Sequence, residues 1–600
     1  MIGPDVPPFD KKALRRLFDD ALADHRAGRL DAAKAKYAEL LRRDAGQADA
    51  AHLLGQIAFA EGDAATAVAR VEQAIGLDRR QARFHVTLAT VLNRLGRADE
   101  AEAAARRALV LDRDDGGAYT NLGIALMARE ALNEAETAFG RALEIAPGDA
   151  VALANMGAVL VKTGNPGKAE PHCRRAVAAN PRNFVAWANF AEALHDLGRT
   201  DEAFEAARHA IALEPRHAPG HAALGVLLLD AGLVDAAIAS CERALELQPN
   251  ERKYLGNLAN AFAAAGRFDE ALAAYERFLA VSPTNARAHY NKALYHLLQG
   301  ELDVGLQEYE ARWGVAGFTW RIEAGTLWSG DSPPGARVLI WPEQGIGDHI
   351  FNASFLPAVI RLGVRPIYEC DPRLIGLMAR SFPEACVIPA GAPMPEHDFH
   401  IPAGSLLRVL RARLGDVPRE HGYLRADPDR VAHYRNRLAA AGRGPWIGLS
   451  WRSAREVIGP HKSMPLAALA PILRTPGARF VTLQYGDTDA EIAAAAAATG
   501  AVIHTDPELD RFNDIDGLAA LIGALDFVIT TSNVTAHIAG ALGRESWIAL
   551  QKVPLWYWES AGEESRYYPS ARLFRQSEVG DWAGVARRIA HALQYRLGSK

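Results

Sequence analysis

Residues 341–350 read WPEQGIGDHI. The apolar run RVLIWP comes just before and the helically spaced HIFNASFLPAVIRLG overlaps and follows. A glycine turn between a strand and a helix ordinarily cradles phosphate, because N–H groups at a helix N-terminus favour anions. Here the turn Gly345-Ile346-Gly347 ends in Asp348, whose carboxylate repels a phosphate. A carboxylate at a helix start has two uses. It caps the helix, or it stays ionised in the N-terminal field and takes a proton from a nearby hydroxyl; one residue can do both. Cationic chemistry lies further on. The loop RSAREVIGPHKS holds Arg452, Arg455, His461 and Lys462, of which Arg455 and His461 also suit a plain solvated loop. At the start of TAHIAGALG, Ser532, Asn533, Val534 and Thr535 offer N–H groups and hydroxyls to an anion. His537 falls in the first turn of that helix, either at the site or packed beneath it.

The elements that must hold these residues follow from the pattern of the second half. From Arg337 onward, β-rich runs (RVLIWP, RPIYEC, ACVIPA) alternate with helical segments, which predicts a parallel sheet with crossover helices. A charged helix at 425–442 leads to a second set: PWIGLSW, ARFVTLQYG, AVIHTD, DFVITTS and SWIALQ, again with helices between. Two doubly wound halves leave a cleft between their carboxyl edges, where such sheets bind ligands.

The first half is a repeat array. Prolines fall at 147, 181, 215, 249 and 283, a period of 34 residues. Alanine recurs in phase at 33, 67, 101, 135, 169, 203, 237 and 271. Glycine does so at 28, 62, 96, 164, 198, 232, 266 and 300, broken only by Glu130. Glycine ends each first helix in a tight turn, alanine lets the second helix approach, and proline closes it. The period and pattern resemble the tetratricopeptide repeat, eight units fitting residues 12–283 and a degenerate ninth running to about 317. Such units stack into a superhelix whose first helices line a groove. Asn121, Asn155, Asn189, Asn257 and Asn291 recur in phase on those helices, with Ala223 in the gap. Their carboxamides can hold an extended peptide backbone or simply tie helices together. The pattern resembles the asparagine ladder of the O-GlcNAc transferases. Cys173 and Cys241, two periods apart, occupy the position of Phe139 and Tyr275 and read as small core residues.

Bulk properties exclude several classes. The chain has 600 residues, too many for one core, with 49% hydrophobic and 23% charged residues. A net charge of −5 gives no support to nucleic acid as the main ligand. Neither a signal peptide nor an apolar run of membrane-spanning length is present, and four scattered cysteines form no metal-ligand or disulfide pattern. A cytoplasmic location is the expectation. No Asp-x-Asp metal motif lies near either loop, so no metal and no cofactor are expected.

The second half resembles the GT-B glycosyltransferases. GIGDHIFNASFLPAV resembles the first loop of the bacterial heptosyltransferases, HKSMPLAAL their Lys-x-x-Pro segment, and TSNVTAHIAGALG their Asp-Thr-x-x-x-His loop. VPLWYWESAGEESRYYPSARLFRQSEVGDW resembles the tail of bacterial proteins that fuse tetratricopeptide repeats to this domain, among them flagellin glycosyltransferases. The resemblance implies an α-solenoid followed by a GT-B fold of two Rossmann-like halves. In these terms residues 1–11 are a tail and 12–317 an acceptor-binding superhelix in which the five asparagines hold the acceptor. Residues 318–600 are the glycosyltransferase: 318–424 the first half, 425–442 the connecting helix and 443–600 the nucleotide-sugar half. It implies Asp348 as the catalytic base, Lys462 at the donor phosphates, and donor contacts from Gly345, Gly347, Arg452, Ser532, Asn533, Thr535 and His537. Ser532-Asn533 stands where the heptosyltransferases have Asp-Thr, which argues against a heptose donor. A nucleotide-activated nonulosonic acid such as pseudaminic acid, CMP-linked, fits the lost negative charge better. The expected activity is metal-independent, inverting transfer to Ser or Thr of a protein, flagellin being the implied partner. The rival readings are an inactive scaffold and a polysaccharide or lipopolysaccharide glycosyltransferase whose repeats recruit partners.

Overall fold

A computed structural model describes residues 11–322, 325–414, 421–453 and 459–598. The chain divides into two compact units, Met1–Asn257 and Leu258–Lys600. The first holds helix pairs in strict succession, from Lys11–Arg26 with Leu30–Arg43 to Ala218–Asp230 with Val234–Leu247. The in-phase alanines behave as their spacing demands: Ala33, Ala67, Ala101, Ala135, Ala169, Ala203 and Ala237 are fully buried. The two cysteines are buried as well. A Cβ on Gly157 would lie 2.3 Å from Cys173 Sγ, and one on Gly225 2.6 Å from Cys241 Sγ. Burial pushes both thiols up to about 12, so they are inert packing groups. At the turns the phased glycines take φ between +72° and +86°. Glu130 adopts φ +61° in the same place, a conformation that costs a non-glycine residue about 1–2 kcal/mol.

The second unit begins inside the repeats. Helices Phe268–Val281, Ala286–Leu298 and Leu302–Glu308 and the 3-10 turn Tyr309–Gly314 precede its sheets. The first sheet has strands β1 (Thr326–Leu327), β2 (Arg337–Trp341), β3 (Arg365–Cys370), β4 (Cys386–Pro389) and β5 (Phe399–Pro402), in the order β1-β5-β2-β3-β4. The second has β6 (Trp446–Ser450), β7 (Arg479–Thr482), β8 (Ile503–His504), β9 (Phe527–Thr531), β10 (Ser546–Leu550) and β11 (Ala571–Arg575), in the order β11-β10-β9-β6-β7-β8. Every strand pairing is parallel. Read from its first strand, the second sheet has the doubly wound order 3-2-1-4-5-6. The connecting helix spans Pro428–Ala441, its N-terminus capped by Asp427. β1, β5 and β11 carry no long apolar run, so the alternation of runs does not announce them.

The change from repeat to sheet falls near residue 318, but the compact unit starts at 258. Packing explains the difference. Ala293, Leu297, Leu302, Leu306 and Tyr309 of the last repeat share one buried core with Val338 and Ile340 of β2, Val528 of β9 and Ile548 of β10. Cutting the chain at 317/318 would expose that core. A fragment of residues 249–600 is expected to be monomeric with a cooperative thermal transition, and a fragment of 318–600 to aggregate or lack one. Residues 1–248 are expected to melt cooperatively alone, since solenoid stability is nearest-neighbour. Circular dichroism melts with gel filtration check all three.

Candidate functional site

Each sheet has a point where strand order reverses, β2/β5 in the first and β6/β9 in the second. The loops leaving those strands meet at a cleft of about 600 Å³ within the second unit. Its walls include Gly345, Gly347, Asp348, Lys462, Ser532, Asn533, Thr535 and His537, all singled out from the sequence. Arg452 is absent from the lining. Its guanidinium is paired with Glu491 and donates to the Asp487 carbonyl at 2.8 Å, so it braces the loop rather than facing the cleft. His461 is exposed, and Arg455 lies outside the described residues.

Gly345 caps the helix Ile346–Ala353, and Asp348 Oδ2 accepts from the Gly345 N–H at 3.1 Å. The helix is held from below. Tyr423 donates to the Ile350 carbonyl at 2.9 Å, and Tyr368 donates to that of His349. His349 Nδ1 accepts from the Asp371 N–H at 2.9 Å, and burial lowers its pKa. Gly347 has a steric reason. A Cβ there would lie 3.0 Å from Cδ2 of His537, so the glycine lets the Ile346–Ala353 helix pack on the Val534–Ala541 helix. His537 is 3% exposed, and its Nδ1 lies 2.8 Å from the Tyr568 hydroxyl. Burial, aided by the charge of Lys462, drops its pKa to about 3. It is a neutral packing histidine that lines the cleft.

Lys462, whose charge acts on His537, is 6% exposed on the short helix Gly459–Lys462. Asn533 caps the Val534–Ala541 helix, its Oδ1 accepting from the Thr535 N–H at 3.0 Å. Its Nδ2 donates across the switch point to Ser450 Oγ at 2.9 Å and to the Arg452 carbonyl at 3.2 Å. A carboxylate there could not donate and would confront that carbonyl, which is a physical reason for asparagine. Ser532 Oγ accepts from Trp558 Nε1 at 2.8 Å. Both side chains therefore build the loop, and Asn533 has little hydrogen-bonding capacity left for a ligand. Among the described residues, no group of three His, Cys, Asp or Glu side chains gathers that could hold a metal ion.

One buried ion pair ties the last repeat to this site. Arg312, fully buried, donates from Nε to Glu343 Oε2 at 2.6 Å and from Nη2 to Oε1 at 3.0 Å. Nη2 also reaches Ser405 Oγ at 2.8 Å, and Glu343 Oε1 accepts from the Gly404 N–H at 2.8 Å. The guanidinium sits over Trp313 and Tyr309, 4.2 and 4.6 Å from their ring centres. Glu343 lies two residues before the Gly345 turn and lines the cleft. Burial opposes the charge of Glu310 beside it, yet Arg312 holds that carboxyl below its usual range.

The asparagine series is mostly occupied internally. The side-chain amides of Asn121 and Asn155 donate to the carbonyls of Gly117 and Val151 at 2.9 Å, one turn back on their own helices. That of Asn189 reaches the Ala154 carbonyl of the preceding repeat at 3.2 Å, and that of Asn291 reaches the Tyr275 hydroxyl at 2.9 Å. The amide nitrogen of Asn257 is buried with no partner among the described residues. These bonds favour tying helices over a ladder of free donors.

Several cleft residues escape sequence reasoning. Tyr290 and Tyr309 come from the last repeat, Arg373 from the turn after β3, and Tyr485, Arg511 and Phe512 from the loops after β7 and β8. Trp556 and Tyr557 come from the segment WYWES. The EARW and WYW clusters were the available signals, each an improbable concentration of aromatic and charged groups.

The fold is thus an array of tetratricopeptide-type helix pairs followed by a two-sheet, parallel α/β body that holds a cleft. Tetratricopeptide-repeat family models match residues 48–216, and 205–252 with 257–313. The chain is 34% identical to Protein FlbA of Caulobacter vibrioides over 290 residues, 45% of this chain and 48% of FlbA, and so spans about half the length of that curated relative. Among solved structures, YrrB, a TPR protein with an unusual peptide-binding site, is 26% identical over 31% of this chain and 95% of its own, with a TM-score of 0.26. A thermophilic TPR protein from Thermus thermophilus is 28% identical over 30% of this chain and 99% of its own, with a TM-score of 0.28. Among the described residues, no helix is long and apolar enough to cross a membrane.

Two stability effects follow. Arg312→Ala strands the Glu343 charge in the interior and is expected to cost about 3–5 kcal/mol. The double change Arg312→Met, Glu343→Leu removes both charges and is expected to cost less than the single one. Urea titration by tryptophan fluorescence checks this, because ten of the eleven tryptophans follow residue 257. For His537, a folded pKa of about 3 lies below the ordinary value of 6.5. Its contribution is therefore complete above pH 6.5 and is lost as pH falls toward 3. Between pH 7 and 5 it should remove about 2 kcal/mol. The same titration at both pH values should show a smaller acid loss in His537→Gln than in the parent.

Proposed function

We propose that the protein is a GT-B protein O-glycosyltransferase, metal-independent and inverting, which moves a sugar from a nucleotide-activated donor to Ser or Thr of a protein, flagellin being the acceptor. The observation that carries this reading is the position of Asp348 on the cleft wall, with Lys462 and the Val534–Ala541 helix N-terminus on the same cleft. The resemblance of all three segments to the heptosyltransferases supports it. Asp348 takes the hydroxyl proton as the acceptor oxygen attacks the anomeric carbon. The bond from that carbon to the phosphate oxygen breaks, and the nucleotide leaves with the electron pair. Lys462 and the helix N-terminus balance the charge that develops on the phosphate. His537 is too weakly basic to serve as an acid at neutral pH and instead holds the two helices together.

The neutral Ser532-Asn533 pair places no carboxylate at the donor loop, which favours a donor that brings its own, a nonulosonic acid such as pseudaminic acid linked to CMP. The repeats hold the acceptor polypeptide. The series Asn121, Asn155, Asn189, Asn257 and Asn291 marks the helices concerned.

Asp348→Asn tests the chemistry. Asparagine at this third helical position can still accept from the Gly345 N–H through its side-chain oxygen, but it takes no proton. Transfer to flagellin at saturating donor is expected to fall by about 10²–10⁴-fold, with the thermal transition and donor affinity little changed. Turnover near the parental rate in this variant would remove Asp348 as the base.

A further inference from the structure

The cleft lining holds two chemically different groups of side chains. One is Lys462, Arg511 and Ser453, suited to phosphate and sugar hydroxyls. The other is an apolar wall of Tyr290, Leu294, Phe318 and Trp556. These four come from the last repeat helix, the segment after it and the segment after β10, and each is only partly buried. Their rings support one another. Tyr290 and Phe318 meet edge to face at 5.4 Å, and Trp556 meets Phe351 of the Asp348 helix edge to face at 5.6 Å. A polar, anionic donor belongs beside the cationic group. A base between donor and acceptor then requires the acceptor to enter along the apolar wall.

We infer that this wall is the acceptor subsite and that it selects a polypeptide in which an apolar side chain adjoins the modified Ser or Thr. The inference rests on the glycosyl-transfer reading for its orientation. A peptide is favoured as occupant because Leu294 supplies purely aliphatic surface, and because Tyr290 and Leu294 flank Asn291 on a tetratricopeptide helix. The side chain beside the hydroxyl would exchange water for the rings of Tyr290 and Phe318, and burying a leucine there is enough for about a tenfold preference.

The test is direct binding to the full-length protein, measured by fluorescence anisotropy. The probes are fluorescein-labelled peptides with the cores Ala-Leu-Ser-Leu-Ala and Ala-Asp-Ser-Asp-Ala. The leucine peptide should bind about tenfold or more tightly, and Phe318→Ser and Trp556→Ser, on separate segments, should each reduce that preference to about twofold. Unchanged melting points would confirm that the variants are folded. Equal binding of the two peptides, or a full preference retained in both folded variants, would overturn the inference. So would displacement of the leucine peptide by maltopentaose at equal concentration, which would mark a carbohydrate acceptor. Binding does not depend on turnover, so failure of the glycosyl-transfer reading shows separately, as absence of sugar transfer by the parent protein.

Discussion

The Arg312–Glu343 pair is the interaction on which the rest of the second unit depends. Two charges taken out of water must be matched by each other and by fixed dipoles. Here the match is supplied from three places in the sequence: the last repeat turn, the loop after β2, and the Gly404-Ser405 backbone and hydroxyl after β5. The pair therefore joins the last repeat to the loops that leave the first sheet. It also fixes the start of the turn that carries Asp348. Repeat and sheet share a single core as well as this pair, which is why the compact unit begins at Leu258.

The second constraint is the close approach of two helix N-termini. Gly347 and His537 meet so closely that a Cβ at 347 would press on the imidazole at 3.0 Å. The aromatic segment Trp556-Tyr557-Trp558 with Tyr568 surrounds the histidine, at ring separations of 5.2 to 5.7 Å for Tyr557, Trp558 and Tyr568. Burial keeps the ring neutral, so the approach adds no charge between Asp348 and Lys462. The loops of the two sheets are thus joined by packing.

The repeat half was legible because its signals are local and periodic. A glycine, an alanine and a proline per 34 residues each answer a fixed geometric need, and Glu130 adopts the glycine conformation where the series breaks. The long apolar strands were legible for the same reason. Short strands such as β1 and β8 are held by neighbours rather than by their own composition, and β1 could not be read. Asp348, Lys462 and His537, which line the cleft, stood out in the sequence because helix starts and cation-rich loops have recognisable chemistry. Arg452 misled because a loop arginine gives no sign of its partner, here Glu491 on the helix that follows β7. The asparagines illustrate the same limit, since a carboxamide in phase serves a peptide backbone and a neighbouring helix equally well. Arg312 and the apolar wall were invisible because they arise only when the last repeat folds onto the sheet.

The central claim is that this cleft attaches sugar to a protein. Its most direct test is the intact mass of purified flagellin after incubation with the full-length protein and, in separate reactions, a panel of nucleotide sugars that includes CMP-linked pseudaminic acid. The account predicts mass increments equal to whole nonulosonic acid residues, mapped by fragmentation to Ser or Thr. Flagellin of unchanged mass with every donor would contradict it.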